Sequence, residues 1–308
     1  MSIPGCGDDA LPPDFSGGPR GVAHRPDLSV VIVSYNTREL LRNCLRSLRG
    51  SQGLTLEIIV VDNASSDGSA DMLRKDFPEV QLHAQTLNSW YCGGNNIGSA
   101  AARADYVLLL NPDTEVSPDA LAQMLRFLRE NESYSAVTAT LVYPHGAIQQ
   151  TCAGIPSFEN LLLDYTLLGW LRSRRKKQHH AELVYADWDR KSDRDVAAIP
   201  GSCSMLRRSD ARLDDDLLLY FPEEDLARRL GGRMRFLATA RIVHHEKSST
   251  RNWLATRIFF RDMLVYTRKH HSLWRMLLLW LLSRPVYWAM WLRRHAAAQN
   301  QPNTASGM

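Results

Sequence analysis

Three short apolar runs in the first half of the chain each end in polar residues. They are LSVVIVSYN (residues 28–36), EIIVVD (57–62) and YVLLLN (106–111). β-Branched and aliphatic residues without regular polar alternation are typical of strands buried on both faces of a parallel sheet. The pattern therefore predicts three parallel strands, with a further short strand near residues 80–83.

Segments of helical periodicity separate these predicted strands. Asn36 and Glu39 suit the N-cap and third position of a first helix that ends at Gly50. Further helices are expected across residues 95–103 and after Ser117–Pro118. Alternating strands and helices predict an α/β fold with a doubly wound, mostly parallel sheet and helices on both of its faces.

Composition sets the limits of this domain. The chain has 308 residues, of which 44% are hydrophobic and 23% charged, so a fibrous or wholly disordered protein is excluded. Residues 1–26 repeat Pro and Gly without a hydrophobic period, which predicts a disordered leader, and residues 296–308 are expected to form a disordered tail. We expect a catalytic domain over residues 27–250 and amphipathic helices over residues 251–295.

Charge and cysteine spacing narrow the class of protein. The net charge of +4 is concentrated in the run RSRRKKQHH, residues 172–180, and in the C-terminal region. The five cysteines lie far apart without a CxxC pair, so neither a disulfide framework nor a zinc cluster is indicated, and a reducing cytoplasm is expected. No apolar secretory segment begins the sequence. No nucleic-acid-binding module surrounds the basic run, so nucleic acid is not an expected partner.

Polar residues follow three of the predicted strands. They form the sets Ser34, Tyr35 and Asn36; Asp62 and Asn63; and Asn111, Pro112 and Asp113. One such set would be interpreted as a turn or helix cap, but three in one crossover unit indicate a crevice beyond the carboxyl ends of the strands. The sequence has no GxGxxG after its first strand and no GxxxxGK[ST], so dinucleotide and P-loop sites lack their phosphate cradle.

Seven segments resemble the motifs of the inverting family 2 glycosyltransferases, in that family's order. They are VVIVSYN (30–36), VVDNASSDGS (60–69), NSWYCGGNN (88–96), LLLNPDT (108–114), GSCSMLRR (201–208), YFPEEDLARR (220–229) and ARIVHHEKSS (240–249). The resemblance covers roughly residues 28–270 and is particularly to the rhamnosyltransferase-like branch. It implies a GT-A fold and transfer of a sugar such as rhamnose from a nucleotide diphosphate donor, with inversion at the anomeric carbon.

The resemblance also implies which residues bind the donor. Asp62 can accept a hydrogen bond from a pyrimidine N–H, and Gly94, in a glycine-containing loop, would let backbone approach the donor. Trp90 departs from this family's usual Gly at that position of the loop. The expected donor-binding residues are Ser34, Tyr35, Asn36, Asp62, Asn63, Ser65, Asn88, Gly94, Asn95 and Asn111.

A metal site is implied where the family has its Asp-x-Asp motif. Asn111 and Asp113 occupy that place, and Asp113 is the expected carboxylate ligand of Mg²⁺ or Mn²⁺, since hard cations prefer oxygen. The metal would be the Lewis acid for the leaving diphosphate. His244 resembles the family's histidine after the last core strand and is expected to complete the site, with a surface pair beside His245 as the alternative.

The general base is expected in the sequence PEED, residues 222–225, where the family usually has Glu-Asp-x-Asp. Aligning the following DLARR places Glu223 at the catalytic Asp of the family and Asp225 at its later acidic position. Glu224 is the rival of Glu223. An acidic first helical turn that only complements the helix dipole is the alternative interpretation.

The acceptor side is expected to be formed by the segment GSCSMLRR. Gly201 and Ser202 would let backbone pass near the transferred sugar, and the alternative is an ordinary buried strand start.

The segment LWRMLLLWLLSRPVYWAMWLRR, residues 273–294, holds four of the eight tryptophans. Its uninterrupted apolar stretch, Met276 to Leu282, is shorter than the roughly 20 residues that cross a bilayer. Trp and Arg together favour a helix in the membrane interface, and a helical hairpin packed on the domain is the alternative. The basic run over residues 172–180 is expected either to attract anionic lipid or to form a solvated loop.

Two hypotheses of function remain. The first is a metal-dependent inverting glycosyltransferase of cell-envelope polysaccharide synthesis, at the inner face of the cytoplasmic membrane, with a deoxythymidine- or uridine-diphosphate sugar as donor and a saccharide or polyprenyl-linked acceptor. The alternative is an inactive, membrane-associated relative that binds nucleotide sugars or a partner enzyme. A nucleotidylyltransferase is a third class, whose N-terminal Gly-rich triphosphate loop this sequence lacks.

Overall fold

A computed structural model describes residues 25–246 and 253–299, with the side chains of 295–299 excepted. Most of the predicted leader and residues 300–308 of the predicted tail lie outside this part of the chain. The final helix continues to Gln299, past residue 295, where the C-terminal helices were expected to end. The described helices include none that is both long enough and apolar enough to cross a membrane.

The described strands form one sheet. Their bounds are β1 Leu28–Ser34, β2 Leu56–Asp62, β3 Gln81–Ala84, β4 Tyr106–Leu110, β5 Thr114–Val116, β6 Tyr134–Val142, β7 Arg194–Val196, β8 Cys203–Arg207 and β9 Arg233–His244. The strand order is β3-β2-β1-β4-β8-β6-β9-β5, and β7 pairs with β9. The pairs among β3, β2, β1 and β4 are parallel, as is β6 with β9, whereas β8, β5 and β7 pair antiparallel with their neighbours. The predicted α/β class with a mostly parallel sheet is confirmed.

Helices cover both faces of this sheet. Their bounds are α1 Arg38–Arg49, α2 Ser69–Asp76, α3 Trp90–Ala101, α4 Ala120–Glu130, α5 Phe158–Tyr165, α6 Leu168–Leu171, α7 Ser173–Leu183, α8 Pro222–Leu230, α9 Trp253–His270 and α10 Leu273–Gln299. One hydrophobic core includes the apolar sides of α1, α2 and α4. A second core includes α3, α5, α8, α9 and Leu279 of α10. The C-terminal helices therefore belong to the packed domain.

The predicted N-cap Asn36 is wrong. Helix α1 is preceded by Thr37, and Asn36 has a left-handed backbone with φ 53°. The Asn36 side-chain oxygen accepts a hydrogen bond from the backbone N–H of Ser66 at 2.8 Å instead. A short polar side chain can bond to backbone other than that of the next helix, and here it ties the end of β1 to the loop after β2.

Helix α3 begins at Trp90, five residues before the predicted start, so Gly94 and Asn95 are helical and the expected loop is shorter. A methyl group built on Gly94 would lie 2.7 Å from Cγ1 of Val33, and one on Gly98 would lie 2.3 Å from Cγ1 of Val31. Both distances are too short for carbon atoms. The two glycines therefore allow α3 to lie directly against β1, which is a packing role.

We expect Gly98→Ala to lower the free energy of unfolding by about 1–3 kcal/mol, because the added methyl must displace the buried Val31 side chain. Urea unfolding followed by circular dichroism would measure the change. Gly93→Ala in the same helix is the matched control, since its methyl would meet only the Ser89 side chain, at 3.1 Å. Equal stability of the two variants would contradict the packing role.

Candidate active site

A cavity of about 400 Å³ lies at the carboxyl ends of β1, β2 and β4, and α9 forms one of its walls. Six of the residues predicted from the sequence line it: Tyr35, Asn63, Asn88, Asn111, Asp113 and His244. Polar residues at the ends of parallel strands thus converge at one edge of the sheet. The apolar wall is made by Trp90, Leu219, Leu254, Ala255 and Ile258.

The turns after β1 and β2 are bonded to each other. Ser34 contacts the hydroxyl of Thr37 at 2.9 Å, and the Ser65 hydroxyl accepts from the backbone N–H of Asn36 at 2.9 Å. Asp62 accepts from the backbone N–H of Ser65 through Oδ2. Its Oδ1 is buried without a hydrogen-bond partner among the described residues. A buried carboxylate oxygen without a donor is costly, so this atom is suited to a ligand N–H.

The segment before α3 is held by two asparagines. Asn63 donates to the carbonyl of Trp90 at 2.9 Å, and the side-chain oxygen of Asn88 accepts from the Trp90 N–H at 2.8 Å. Trp90 has a left-handed backbone, φ 61°, the conformation that glycine adopts most easily. Asn95 is buried and donates to the carbonyl of Tyr91 within the helix, so it supports this segment from behind.

Asp113 and His244 lie side by side, with 3.4 Å between Oδ1 and Nε2. Gln149 holds the histidine from the other side: its Nε2 donates to the His244 carbonyl, and its Oε1 lies 2.8 Å from Nδ1. Because the Gln149 oxygen can only accept, Nδ1 carries the proton in the neutral ring and Nε2 presents a lone pair. A lone pair beside a carboxylate suits a shared divalent cation.

The charges of the other described residues that line the cavity also suit a cation bound together with a phosphate group. Among its lining residues in the described chain there is no Lys or Arg, while Asp113 and Glu246 are acidic. No cluster of three or more His, Cys, Asp or Glu in the described residues could hold a metal. Mg²⁺ commonly takes one or two carboxylates and fills its remaining positions with phosphate and water. The donor set therefore matches a metal–diphosphate complex better than a protein-only metal cage.

Glu223 and Glu224 are not among the described residues that line the cavity, and the Glu223 carboxylate lies against Gly201, next to Tyr91, which does line it. A methyl group on Gly201 would lie 1.8 Å from the Oε1 of Glu223 and 2.6 Å from the hydroxyl of Tyr91, which donates to the Gly201 carbonyl at 2.8 Å. Burial, and next the charge of Glu224, raise the pKa of Glu223 to about 8. Burial also raises the pKa of Glu224. The carbonyl of Ser202 accepts from the Asn111 N–H at 3.1 Å, so this segment connects Glu223 to the end of β4.

Asp225 is not part of the cavity lining. Its carboxylate is fully buried and contacts Arg229 Nε at 2.8 Å, Lys269 Nζ at 2.7 Å and His270 Nε2 at 2.7 Å. Burial acts to raise its pKa, but the hydrogen bonds from Lys269, Arg229 and His270 outweigh it, so the pKa of Asp225 lies below its ordinary value. This residue links α8 to α9.

Two buried polar residues near the site were not predicted. Gln149 orients His244, and Asp262 of α9 accepts the backbone N–H groups of Leu218, Leu219 and Tyr220 at 3.1, 2.9 and 3.0 Å. Those three residues precede α8, and the Leu218 carbonyl accepts from the N–H of Tyr91 at the start of α3. The sequence offered only one signal for Asp262: it is an acidic residue on the apolar side of an amphipathic helix, next to Met263.

The model of the family "Glycosyl transferase family 2" matches residues 29–213, more than half of the chain. The chain belongs to glycosyl transferase family 2. It is therefore a glycosyltransferase, as the sequence motifs implied, and the resemblance to this family is confirmed.

Two relatives with named activities share a quarter to a third of the aligned residues with this chain. The chain is 25% identical over 278 residues to the N-acetylglucosaminyl-diphospho-decaprenol L-rhamnosyltransferase of Mycobacterium tuberculosis, covering 83% of this chain and 89% of that enzyme. It is 33% identical over 112 residues to a poly(ribitol-phosphate) beta-glucosyltransferase of Bacillus spizizenii, covering 34% of this chain and 18% of that one.

A solved structure with the same fold is the mannosyltransferase PcManGT of Pyrobaculum calidifontis, in complex with GDP-Man and Mn²⁺. The TM-score is 0.52 at 17% identity, over 91% of this chain and 77% of that one. The GT-A fold predicted for this glycosyltransferase is confirmed.

We expect Asp225→Ala to lower the free energy of unfolding by about 1–3 kcal/mol, because it removes a fully buried carboxylate that accepts hydrogen bonds from Arg229 in α8 and from Lys269 and His270 in α9. Thermal and urea unfolding would measure the loss. Glu223→Gln is the matched control in the same helical turn and should unfold no more easily than the wild type. A stable, fully folded Asp225→Ala would contradict the linking role.

Proposed function

We propose that this glycosyltransferase is a metal-dependent, inverting enzyme of cell-envelope glycan synthesis. It transfers a sugar from a nucleoside diphosphate donor to a lipid-linked saccharide, and rhamnose is the first sugar to test. The observation that carries the proposal is the Asp113–His244 pair, 3.4 Å apart in a cavity without Lys or Arg among its described lining residues. A carboxylate beside an imidazole nitrogen suits a divalent cation that binds together with the donor diphosphate.

The donor would occupy the edge of the sheet. We assign base recognition to Asp62, whose Oδ1 can accept a pyrimidine N–H, with Tyr35, Asn63 and Asn88 along the rest of the donor. Asp113 and His244, supported by Asn111, would hold Mg²⁺ or Mn²⁺. When bound, that ion would supply Lewis-acid stabilisation of the leaving diphosphate.

Glu223 would be the general base, with Glu224 as its electrostatic neighbour. A base removes the proton from the acceptor hydroxyl while that oxygen attacks the anomeric carbon from the face opposite the diphosphate, and this single displacement inverts the configuration. Gly201 supports the assignment, since its missing side chain leaves room for the Glu223 carboxylate beside Tyr91.

The acceptor class is supported by the mycobacterial relative, whose name gives an N-acetylglucosaminyl-diphospho-decaprenol acceptor and an L-rhamnosyl group. A polyprenyl-linked acceptor would place the enzyme at the inner face of the cytoplasmic membrane. Leu254, Ala255 and Ile258 give the cavity an apolar wall toward which such an acceptor could be guided.

We expect Asp113→Ala and Glu223→Gln each to lower kcat by at least about a hundredfold, the usual size of a metal or general-base contribution. Sugar transfer from a panel of nucleotide sugars to a polyprenyl-diphosphate saccharide, with Mg²⁺ or Mn²⁺, would measure it. Calorimetry should show donor binding retained in Glu223→Gln and weakened in Asp113→Ala. Donor binding without transfer by the wild type, for every donor and acceptor, would favour the inactive relative.

A second expectation concerns pH. Because the Glu223 pKa is about 8, the base is mostly protonated at neutral pH, so kcat/KM should rise about tenfold per unit up to about pH 8 and then level off. Because the pKa of Glu223 is raised from its ordinary value of 4.5 to about 8, the wild type should lose stability as the pH rises from 4.5 to 8 and show no further loss from this group at higher pH. Glu223→Gln does not titrate, so it should gain stability relative to the wild type over that same interval. A flat rate profile would exclude Glu223 as the base.

A further inference from the structure

Helix α10 carries apolar side chains on its solvent side as well as on its packed side. At 100° per residue, the fully buried Leu279 and Ser283 define the packed side. The following six exposed residues, which we call the apolar stripe, fall within about 100° of arc on the opposite side. They are Trp274, Leu277, Leu278, Leu281, Trp288 and Leu292.

The apolar stripe is long and well exposed. It extends over about 27 Å of helix from Trp274 to Leu292. The exposed fractions are 79% for Trp274, 60% for Leu281 and 59% for Leu292. A surface helix ordinarily presents charged or polar residues on this side, so a continuous apolar stripe indicates a surface that another phase or molecule covers.

A second exposed patch lies on α6 and α7. Leu167, Trp170 and Leu171 are 51%, 80% and 70% exposed. Helix α7 follows directly, contains no buried residue and carries the basic run, with Arg174 and Lys177 exposed. This patch therefore combines exposed apolar side chains with neighbouring cations. The apolar stripe does the same, since Arg275 and Arg293 lie beside it.

Helix α5 joins the two patches. Its first residue, Phe158, lies under the guanidinium of Arg275 in α10 at 5.4 Å from the ring centroid. Its second residue, Glu159, forms an ion pair with Arg175 of α7 at 2.6 Å. Helices α10 and α7, which carry the apolar stripe and the basic run, therefore contact the same turn of α5.

We infer that the apolar stripe and the α6–α7 patch dock this enzyme on a bilayer surface that carries anionic headgroups. Trp and Leu on one helix side enter the boundary between headgroups and acyl chains, and flanking Arg and Lys are attracted to anionic lipid. A second copy of the chain is a poorer occupant, because a two-fold contact through this surface would bring the same cations face to face.

The docking surface continues toward the active-site cavity. Tyr287, next to Trp288 of the apolar stripe, packs on Trp253 of α9 with ring centroids 5.1 Å apart. The following turn of α9 contributes Leu254 and Ile258 to the cavity wall. The inference extends the proposed function, on which its link to a lipid-linked acceptor rests, but the docking itself needs no substrate.

Vesicle sedimentation of the full-length chain tests the docking. The wild type should bind mixed vesicles, made of equal amounts of phosphatidylcholine and phosphatidylglycerol. It should bind vesicles of pure phosphatidylcholine at least about tenfold more weakly. Leu281→Gln with Trp288→Gln should weaken binding to the mixed vesicles by about tenfold or more. Met290→Gln is the matched control, because Met290 is exposed on the same helix but outside the apolar stripe, and it should bind like wild type.

The cationic part has its own pair of variants. Arg174→Glu with Lys177→Glu should reduce binding to the mixed vesicles about tenfold, whereas Lys75→Glu with Arg126→Glu, the same change of net charge on exposed residues of α2 and α4, should not. Thermal unfolding of each variant should match wild type, since all of these residues are exposed.

Three results would overturn the inference: no binding of wild type to anionic vesicles, unchanged binding of the apolar-stripe variant, or a dimer in the absence of lipid that this variant abolishes. Sugar transfer to a soluble saccharide is measured in parallel. If sugar transfer is intact but vesicles are not bound, only the docking is contradicted. If vesicles are bound but no sugar is transferred, only the proposed function is contradicted.

Discussion

The candidate site depends on the antiparallel pairing of β5 with β9. This pairing sets Thr114 opposite His244, and the backbone N–H of His245 donates to the carbonyl of Asp113 at 2.9 Å. A shift of one residue would turn the His244 side chain to the other face of the sheet. A strand of only three residues therefore fixes the two candidate metal ligands, which lie far apart in the sequence, at the same edge.

Several of the left-handed non-glycine residues in the described chain lie at or near this edge. Asn36, Trp90, Phe221 and Glu246 all have left-handed backbone conformations in segments that border the cavity or precede α8. Each costs on the order of 1 kcal/mol for a residue other than glycine. Trp90 stands where the family usually has Gly, and hydrogen bonds from Asn63 and to Asn88 hold it in the conformation that Gly would adopt. In this conformation Trp90 contributes an indole to the cavity wall.

Periodicity was sufficient to predict β1, β2, β4 and the buried sides of α1 and α4, because each of these elements buries a continuous apolar face. It could not predict β5 or β7, which have three residues each and exist only because β9 pairs with them. Six predicted site residues converge on the cavity, since the ends of parallel strands must meet there. Gln149 and Asp262 were missed because their partners are distant in sequence, and the packing of Gly94 against Val33 was missed because it depends on how α3 lies on the sheet.

Two acids of the sequence PEED, Glu223 and Asp225, have different roles because their side chains lie in different surroundings. Glu223 and Asp225 point about 200° apart on α8. Hydrogen bonds from Lys269, Arg229 and His270 lower the pKa of Asp225, which links α8 to α9, whereas burial and the charge of Glu224 raise the pKa of Glu223. Asp262 strengthens the same link, since it binds the backbone just before α8. The proposed base is thus positioned by α9, the helix that also lines the cavity and packs on α10.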